Sequence, residues 1–182
     1  MIKQQKQFLN KREMKNLVVV IAFLMASTVS FAQGAFDKFE DKEGVASVIV
    51  NKKMFEMMSK VKVDAKDKEM QQYMNLLKKL DNLKVFTTSN AKLGADMKAT
   101  VNSYLKSNPL EELMRVNGDG KNVKIYVKSG ANENIVKELL MFVEGSNIKD
   151  AGTVVLSLTG NFSLDEISML TEKMNLPGGD DL

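Results

Sequence analysis

The stretch that decides the fold is residues 110–128, LEELMRVNGDGKNVKIYVK. Its second half alternates between two sets of side chains: Val123, Ile125 and Val127 on one side, Lys124, Tyr126 and Lys128 on the other. An alternation with a period of two is typical of a β-strand with one buried face. The Asn-Gly and Asp-Gly pairs at 117–120 are those that tight hairpin turns favour. The stretch therefore predicts a β-hairpin formed by residues 110–116 and 121–128.

Four more strands are predicted from short runs of apolar and β-branched residues. They are residues 45–50, 83–88, 139–143 and 153–159. The first of these runs is short and β-branched, which is typical of a buried strand. Together with the hairpin, the runs give six strands.

Four helices are predicted from apolar residues that recur three or four positions apart. They span 52–59, a segment from Asp64 or Asp67 to about Leu80, a segment from Ser89 or Asn90 to Asn108, and 163–176. Pro109 ends the third helix because proline disfavours a helical residue before it. Ser163 and Glu166 have the spacing of a capping box at the start of the fourth helix. The apolar stripe of that helix consists of Ile167, Leu170 and Met174.

These elements predict a single α+β domain over residues 45–176, with a mainly antiparallel sheet and helices packed on one face. A flexible N-terminal segment, 33–44, precedes the domain. This segment is either loose or coiled into one helical turn, and Phe36 and Phe39 anchor it. Residues 177–182 form a C-terminal tail.

Residues 1–32 have the pattern of a cleaved signal peptide. Five basic residues precede ten apolar residues, 17–26, and the small residues Ser30 and Ala32 mark a cleavage site. The apolar stretch is shorter than the roughly 20 residues that cross a bilayer. We therefore expect export to the periplasm or secretion, with Met1 or Met14 as the start. The alternative is a buried or interfacial N-terminal helix.

The net charge of +3 comes from this leader, which carries five basic residues and one acid. Residues 33–182 hold the other 21 basic and 22 acidic residues, a net charge of −1. The lysines there alternate with acids, so no basic surface for nucleic acid or an anionic membrane is expected.

The chain has no Cys, no His and no Trp. Without Cys there is no disulfide, no thiolate nucleophile and no lipid-bearing cysteine, so no membrane anchor is expected after the leader is removed. Without His there is no Ser-His dyad and no ordinary zinc site. We therefore expect no catalytic residues and no cofactor.

An alternative function is a small hydrolase acting on envelope substrates. Ser103 and Lys106 form an S-x-x-K pattern, and Lys128-Ser129-Gly130 follows downstream, as in serine acyl-transferases. However, Ser103 lies near the end of a predicted helix, whereas an activated nucleophile usually lies at a helix start.

Two clusters of oxygen-bearing side chains are candidates for metal binding or for carboxylate catalysis. They are Asn117, Asp119 and Asn122 in the predicted turn, and Asp37, Glu40, Asp41 and Glu43 near the N-terminus. The first is similar to the opening of a calcium loop, but position 128 carries Lys where such a loop needs an acid. The second could supply a pair of catalytic carboxylates, although acidic clusters are usually solvated surface.

Six side chains are candidate contacts for a partner: Met54, Met57, Met58, Lys124, Tyr126 and Lys128. Methionines adapt to varied binding surfaces, but they also fill gaps in cores. Tyr126, which lies between two lysines, either contributes to a contact surface or packs beneath a helix.

Several stretches in a fixed order resemble one protein family. They are 36–39 (FDKF), 44–48 (GVASV), 80–86 (LDNLKVF), 110–114 (LEELM), 123–127 (VKIYV), 155–160 (VLSLTG) and 164–167 (LDEI). In this order, and behind an export signal, the chain resembles the domain-of-unknown-function 4252 family. The resemblance implies a small exported bacterial envelope protein with a link to envelope-stress signalling. Some members are lipoproteins, and the missing Cys implies a soluble form here. No activity or functional residue follows from it.

The sequence thus predicts an exported, non-catalytic protein of the cell envelope. We expect it to bind a protein partner or a ligand through a sheet face or an edge strand.

Overall fold

The structure is a computed structural model that describes residues 34–61, 64, 66–118, 120–132, 134–145 and 152–166. The predicted leader 1–32, the stripe Ile167, Leu170 and Met174, and the tail 177–182 lie outside the described residues. None of the helices in the described ranges is both long enough and apolar enough to cross a membrane.

Within the described residues the chain forms six strands and three α-helices, and every predicted strand is present. The elements in chain order are β1 (Ala46–Asn51), α1 (Lys52–Met58), α2 (Lys68–Leu77), β2 (Leu80–Thr88), α3 (Ala91–Ser107), β3 (Glu111–Gly118), β4 (Lys121–Ser129), β5 (Ile135–Gly145) and β6 (Thr153–Ser163). A 3-10 turn at Asp37–Phe39 precedes β1. Of the two predicted conformations of 33–44, a loose segment or one helical turn, the helical turn is therefore present at 37–39.

The helix boundaries follow from local capping. The side chain of Asp67 accepts a hydrogen bond from the Met70 N–H at the start of α2. The side chain of Asn90 likewise accepts from the N–H groups of Lys92 and Leu93 at the start of α3. Each satisfies a backbone donor that the first turn leaves unpaired. Leu80 belongs to β2 and not to the preceding helix, which ends at Leu77.

All six strands form one antiparallel sheet in the order β1-β2-β6-β5-β4-β3. The predicted hairpin is β3–β4, in which Gly118 lies opposite Lys121. Gly120 in the turn has a φ of 76°, a conformation that glycine adopts without steric cost. The single α+β domain with an antiparallel sheet is therefore confirmed, and β1 and β3 are the two edges of the sheet.

One face of the sheet, called face A here, packs against α1 and α2. Phe55 of α1 and Leu76 and Leu77 of α2 are fully buried in its core. The strands contribute alternate residues to the same core, including Leu83, Val85, Val123, Ile125, Leu139, Met141, Leu156 and Leu158. The predicted inward side of 121–128 therefore does face a core.

The opposite face, face B, packs against α3 and the 3-10 turn, which corrects the expectation that all helices lie on one face. The rings of Phe39 and Phe86 lie 5.9 Å apart, and those of Phe36 and Tyr104 lie 5.4 Å apart. Phe86 follows Val85 of the face A core, and successive strand residues point to opposite faces. The sheet is thus the middle layer between two sets of helical elements.

Two polar contacts fix α3 on face B. The Tyr104 hydroxyl donates to the Glu138 carboxylate of β5 at 2.6 Å, and Lys98 pairs with Glu144 at 2.8 Å. Glu138 is only 5% exposed, and burial raises the pKa of its carboxyl, while the Tyr104 hydrogen bond opposes the rise. The hydrogen bond between Tyr104 and Glu138 therefore helps to hold α3 against β5.

Candidate partner-binding edge

The six candidate contact residues fall into two separate groups. Met54 and Met57 are 46% and 56% exposed on α1, whereas Met58 packs partly against the face A core. Lys124, Tyr126 and Lys128 lie on β4, four strand positions from β1 in the sheet order. At a strand spacing of about 4.8 Å, β4 is about 19 Å from β1, the strand that directly precedes α1. The structure therefore does not bring them together.

Tyr126 is half-buried beside polar groups of the neighbouring strand. It lies opposite Glu112 of β3, and burial together with the Glu112 carboxylate raises the pKa of Tyr126. Glu112 accepts from the Arg115 guanidinium at 2.9 Å, and this hydrogen bond lowers the pKa of Glu112. Tyr126 is thus part of a charged surface at the β3 edge.

The first strand has the features of an accessible pairing edge. Its sequence, ASVIVN, contains no charged residue and no proline. Val48 and Ile49 are 54% and 43% exposed, which corrects the prediction that this strand is buried. Its six residues pair with β2 without a register shift, from Ala46–Thr87 to Asn51–Asn82. Among the described residues, 46–50 make no backbone hydrogen bonds beyond those to β2.

Hydrogen bonds at both ends and in the middle hold β1 in place. The Thr88 hydroxyl donates to the Gly44 carbonyl at 2.6 Å, and Gly44 has a φ of 84° that suits glycine. The Ser47 hydroxyl donates to the Glu40 carbonyl at 2.9 Å, and Asn51 accepts from the Met54 N–H at 3.0 Å. A pairing strand would therefore meet an edge that is already ordered, which lowers the entropic cost of binding.

The acidic cluster near the N-terminus helps to hold the approach to β1. Lys84 of β2 pairs with both Asp37 and Glu40, and its side chain is only 12% exposed. Burial alone would lower the pKa of Lys84, but the hydrogen bonds to these two carboxylates outweigh it and raise the pKa. Two of the four acids thus form ion pairs that fix the 3-10 turn on the sheet.

The other edge of the sheet, β3, has the features that resist strand pairing. It carries Glu111, Glu112 and Arg115, and its register with β4 shifts between Glu112 and Met114. Charges and bulges on an edge strand discourage pairing with another chain. Of the two sheet edges in the described part of the chain, β1 alone therefore combines exposure, regular geometry and the absence of charge.

The remaining candidate chemistries find little support in the geometry. Ser103 and Lys106 are exposed on the last turns of α3, and the Ser103 carbonyl accepts from the Ser107 hydroxyl. Asn117 and Asn122 lie opposite each other in the β3–β4 hairpin, while Asp119 is outside the described residues. In the described part of the chain, no group of three or more acidic side chains is placed to hold a metal ion.

Sequence reasoning missed Val48 and Ile49 as surface residues. A β-branched run is compatible with either a central or an edge strand, because position in the sheet depends on pairing with distant segments. No signal within residues 45–50 distinguishes the two positions.

Comparison with known proteins gives one match. A sequence model of the family described as "Domain of unknown function (DUF4252)" matches residues 39–170, which is more than half of the chain. No curated protein and no solved structure matches the chain.

Proposed function

The chain belongs to the DUF4252 family, and we propose that it is an exported, non-catalytic protein of the cell envelope that binds a protein partner along β1. The observation that carries the proposal is the exposed, uncharged and unbulged edge strand. The outward N–H and C=O groups of such a strand can pair with a strand of another chain. The successive side chains Val48 and Ile49 point to opposite faces of the sheet, so they would contact the partner on both faces.

Export and location in the envelope are supported by the pattern of residues 1–32. A basic segment, a short apolar segment and small residues before the cleavage site are the three parts of a signal peptide. The link to envelope-stress signalling that the family resemblance implies belongs to the same proposal.

The absence of catalysis is supported by composition. A chain without His and Cys lacks the commonest general base and the intrinsically very nucleophilic thiolate of cysteine. The one deeply buried carboxylate described above, Glu138, is bonded to Tyr104 beneath α3.

Photo-crosslinking in cells tests the proposal. A benzoylphenylalanine residue is introduced at position 48 on β1 and, as the matched control, at position 113 on β3, where Leu113 is 49% exposed. We expect a protein adduct from position 48 that is absent from position 113. The adduct should also disappear when Ile49 is replaced by lysine, because a charge then faces the partner. Equal adducts from both edges, or none from position 48, would contradict the proposal.

A further inference from the structure

We propose that the partner is a second copy of this chain, bound antiparallel through β1, so that two six-stranded sheets join edge to edge. The inference rests on the proposed function of β1 as a binding edge. It adds the identity of the partner and the direction of pairing.

The strand is compatible with itself. Because residues 46–51 carry no charge, antiparallel pairing with an identical strand places no like charges opposite each other. The apolar residues Val48, Ile49 and Val50 would meet the same residues of the other copy across the junction. Cross-strand pairs of β-branched residues are favourable in antiparallel sheets.

The charges on either side of β1 determine the direction. The segment before the strand includes the acids Asp41 and Glu43 beside Lys42, and Lys53 follows the strand, whereas Glu40 and Lys52 are already paired within the chain, with Lys84 and Asp81. Antiparallel pairing places the acidic segment of one copy near Lys53 of the other. Parallel pairing would place acids beside acids and lysines beside lysines. Opposite charges therefore favour the antiparallel arrangement.

The surface beside the strand adds apolar area to the same junction. Met54 and Met57 are exposed on α1, which begins directly after β1. A two-fold axis at Ile49, normal to the sheet, would use this surface on both copies, as an isologous interface does.

The difference between the two edges limits the assembly to a dimer. If β1 paired with β3 of another copy, each added chain would leave a free edge and a filament would grow. The charges of β3 and its bulge between Glu112 and Met114 oppose that pairing. Among the described residues, self-pairing of β1 uses the one edge of the sheet that charges or a bulge do not protect, and this closes the assembly.

Single-cysteine crosslinking tests the arrangement, because the native chain has no Cys. One cysteine is introduced in turn at each position from 46 to 51 in the purified protein, and disulfide-linked dimer is measured after mild oxidation. In antiparallel pairing, each step away from the axis separates the two equivalent residues by about 6.6 Å. Disulfide formation should therefore peak at one or two adjacent positions and fall to background three residues away. Val116→Cys on β3 is the matched control and should give no linked dimer.

Light scattering of the native protein and of variants with exchanged charges is the second measurement. We expect the mass of a dimer for the native protein and of a monomer for the Ile49→Asp variant, whose substitution is at an exposed position. Glu43→Lys and Lys53→Glu should each weaken dimerisation at least tenfold, and the double variant should restore it.

A disulfide yield that is equal at all six positions would overturn antiparallel pairing. A monomeric native protein with no disulfide at any position would overturn the inference itself. In that case, an adduct of another protein at position 48 in cells would leave the proposed function standing, whereas no adduct would remove both.

Discussion

Replacing Gly94 with alanine should destabilise the protein, even though alanine is the better helix former. Gly94 lies on α3 where the helix faces Thr153 of β6 on face B. A Cβ at this position would overlap the Thr153 Oγ1 atom and lie 3.3 Å from its Cβ. Moving Oγ1 away requires a change of the stiff χ1 angle of Thr153, and even then the Thr153 Cβ stays in close contact with the new methyl group.

The magnitude follows from two opposing effects. Alanine in a helix interior is favoured over glycine by about 1 kcal/mol. Overpacking a close contact costs about 1–3 kcal/mol. We therefore expect Gly94→Ala to lower the free energy of unfolding by up to about 2 kcal/mol. Adding Thr153→Ala removes the overlapping atom, so the double variant should be at least as stable as Thr153→Ala alone.

Urea unfolding of the native protein, the two single variants and the double variant measures this coupling. Gly118→Ala serves as the control, because nothing lies within 4 Å of a Cβ built at that position, and a change below about 0.5 kcal/mol is expected for it. If Gly94→Ala stabilised the protein regardless of the residue at 153, α3 would not approach β6 at this point. The two-sided packing of the sheet would then be wrong.

Three further outcomes are expected from unfolding measurements. Burial raises the pKa of Glu138, so its contribution to stability is present at low pH and is lost as pH rises through that raised pKa. Glu138→Gln, which keeps an acceptor for Tyr104, should lose less stability than the native protein as pH rises above the ordinary range of a glutamate carboxyl, and parallel pH profiles would contradict this. Phe39→Ala should cost about 3–5 kcal/mol, because the ring is fully buried against Phe86; a cost below 1 kcal/mol would mean that the 3-10 turn is not packed on face B. Asn90→Ala should cost about 1 kcal/mol, because the side chain accepts from two N–H groups of α3, and Asn90→Asp should recover most of it.

The local elements were predictable because their signals are local. The alternation of 121–128 and the turn residues before it specify a hairpin without reference to the rest of the chain. Similarly, Asp67 and Asn90 act as the helix caps that the sequence offered. The predicted boundaries were less accurate, because β5 and β6 extend several residues beyond the predicted runs.

The placement of helices on both faces was missed, although one signal for it was present. Residues 139–143 are apolar without interruption, and all five are buried in the structure. A strand whose successive residues are all apolar needs cover on both faces. The uninterrupted run at 139–143, unlike the alternation of 121–128, therefore predicts a sheet enclosed between two layers of helical elements.

The binding edge could not be derived from the sequence because strand order is non-local. Nothing in residues 45–50 or 121–128 indicates that β1 ends up at the edge and β4 four positions away. The sequence therefore named the two groups of candidate contacts without placing them relative to each other, and the structure separates them. The exposure of Val48 becomes apparent only once β2 is known to pair with β6 on its other side.

Hydrogen exchange of the β1 amides tests the central claim most directly. The amides of 46–51 that point away from β2 should exchange rapidly at low protein concentration and become protected as the concentration rises, while residues 111–118 of β3 keep the same exchange pattern throughout. Exchange of the β1 amides that is independent of concentration, or protection that develops at β3 instead, would contradict the assignment of β1 as the edge through which this protein binds its second copy.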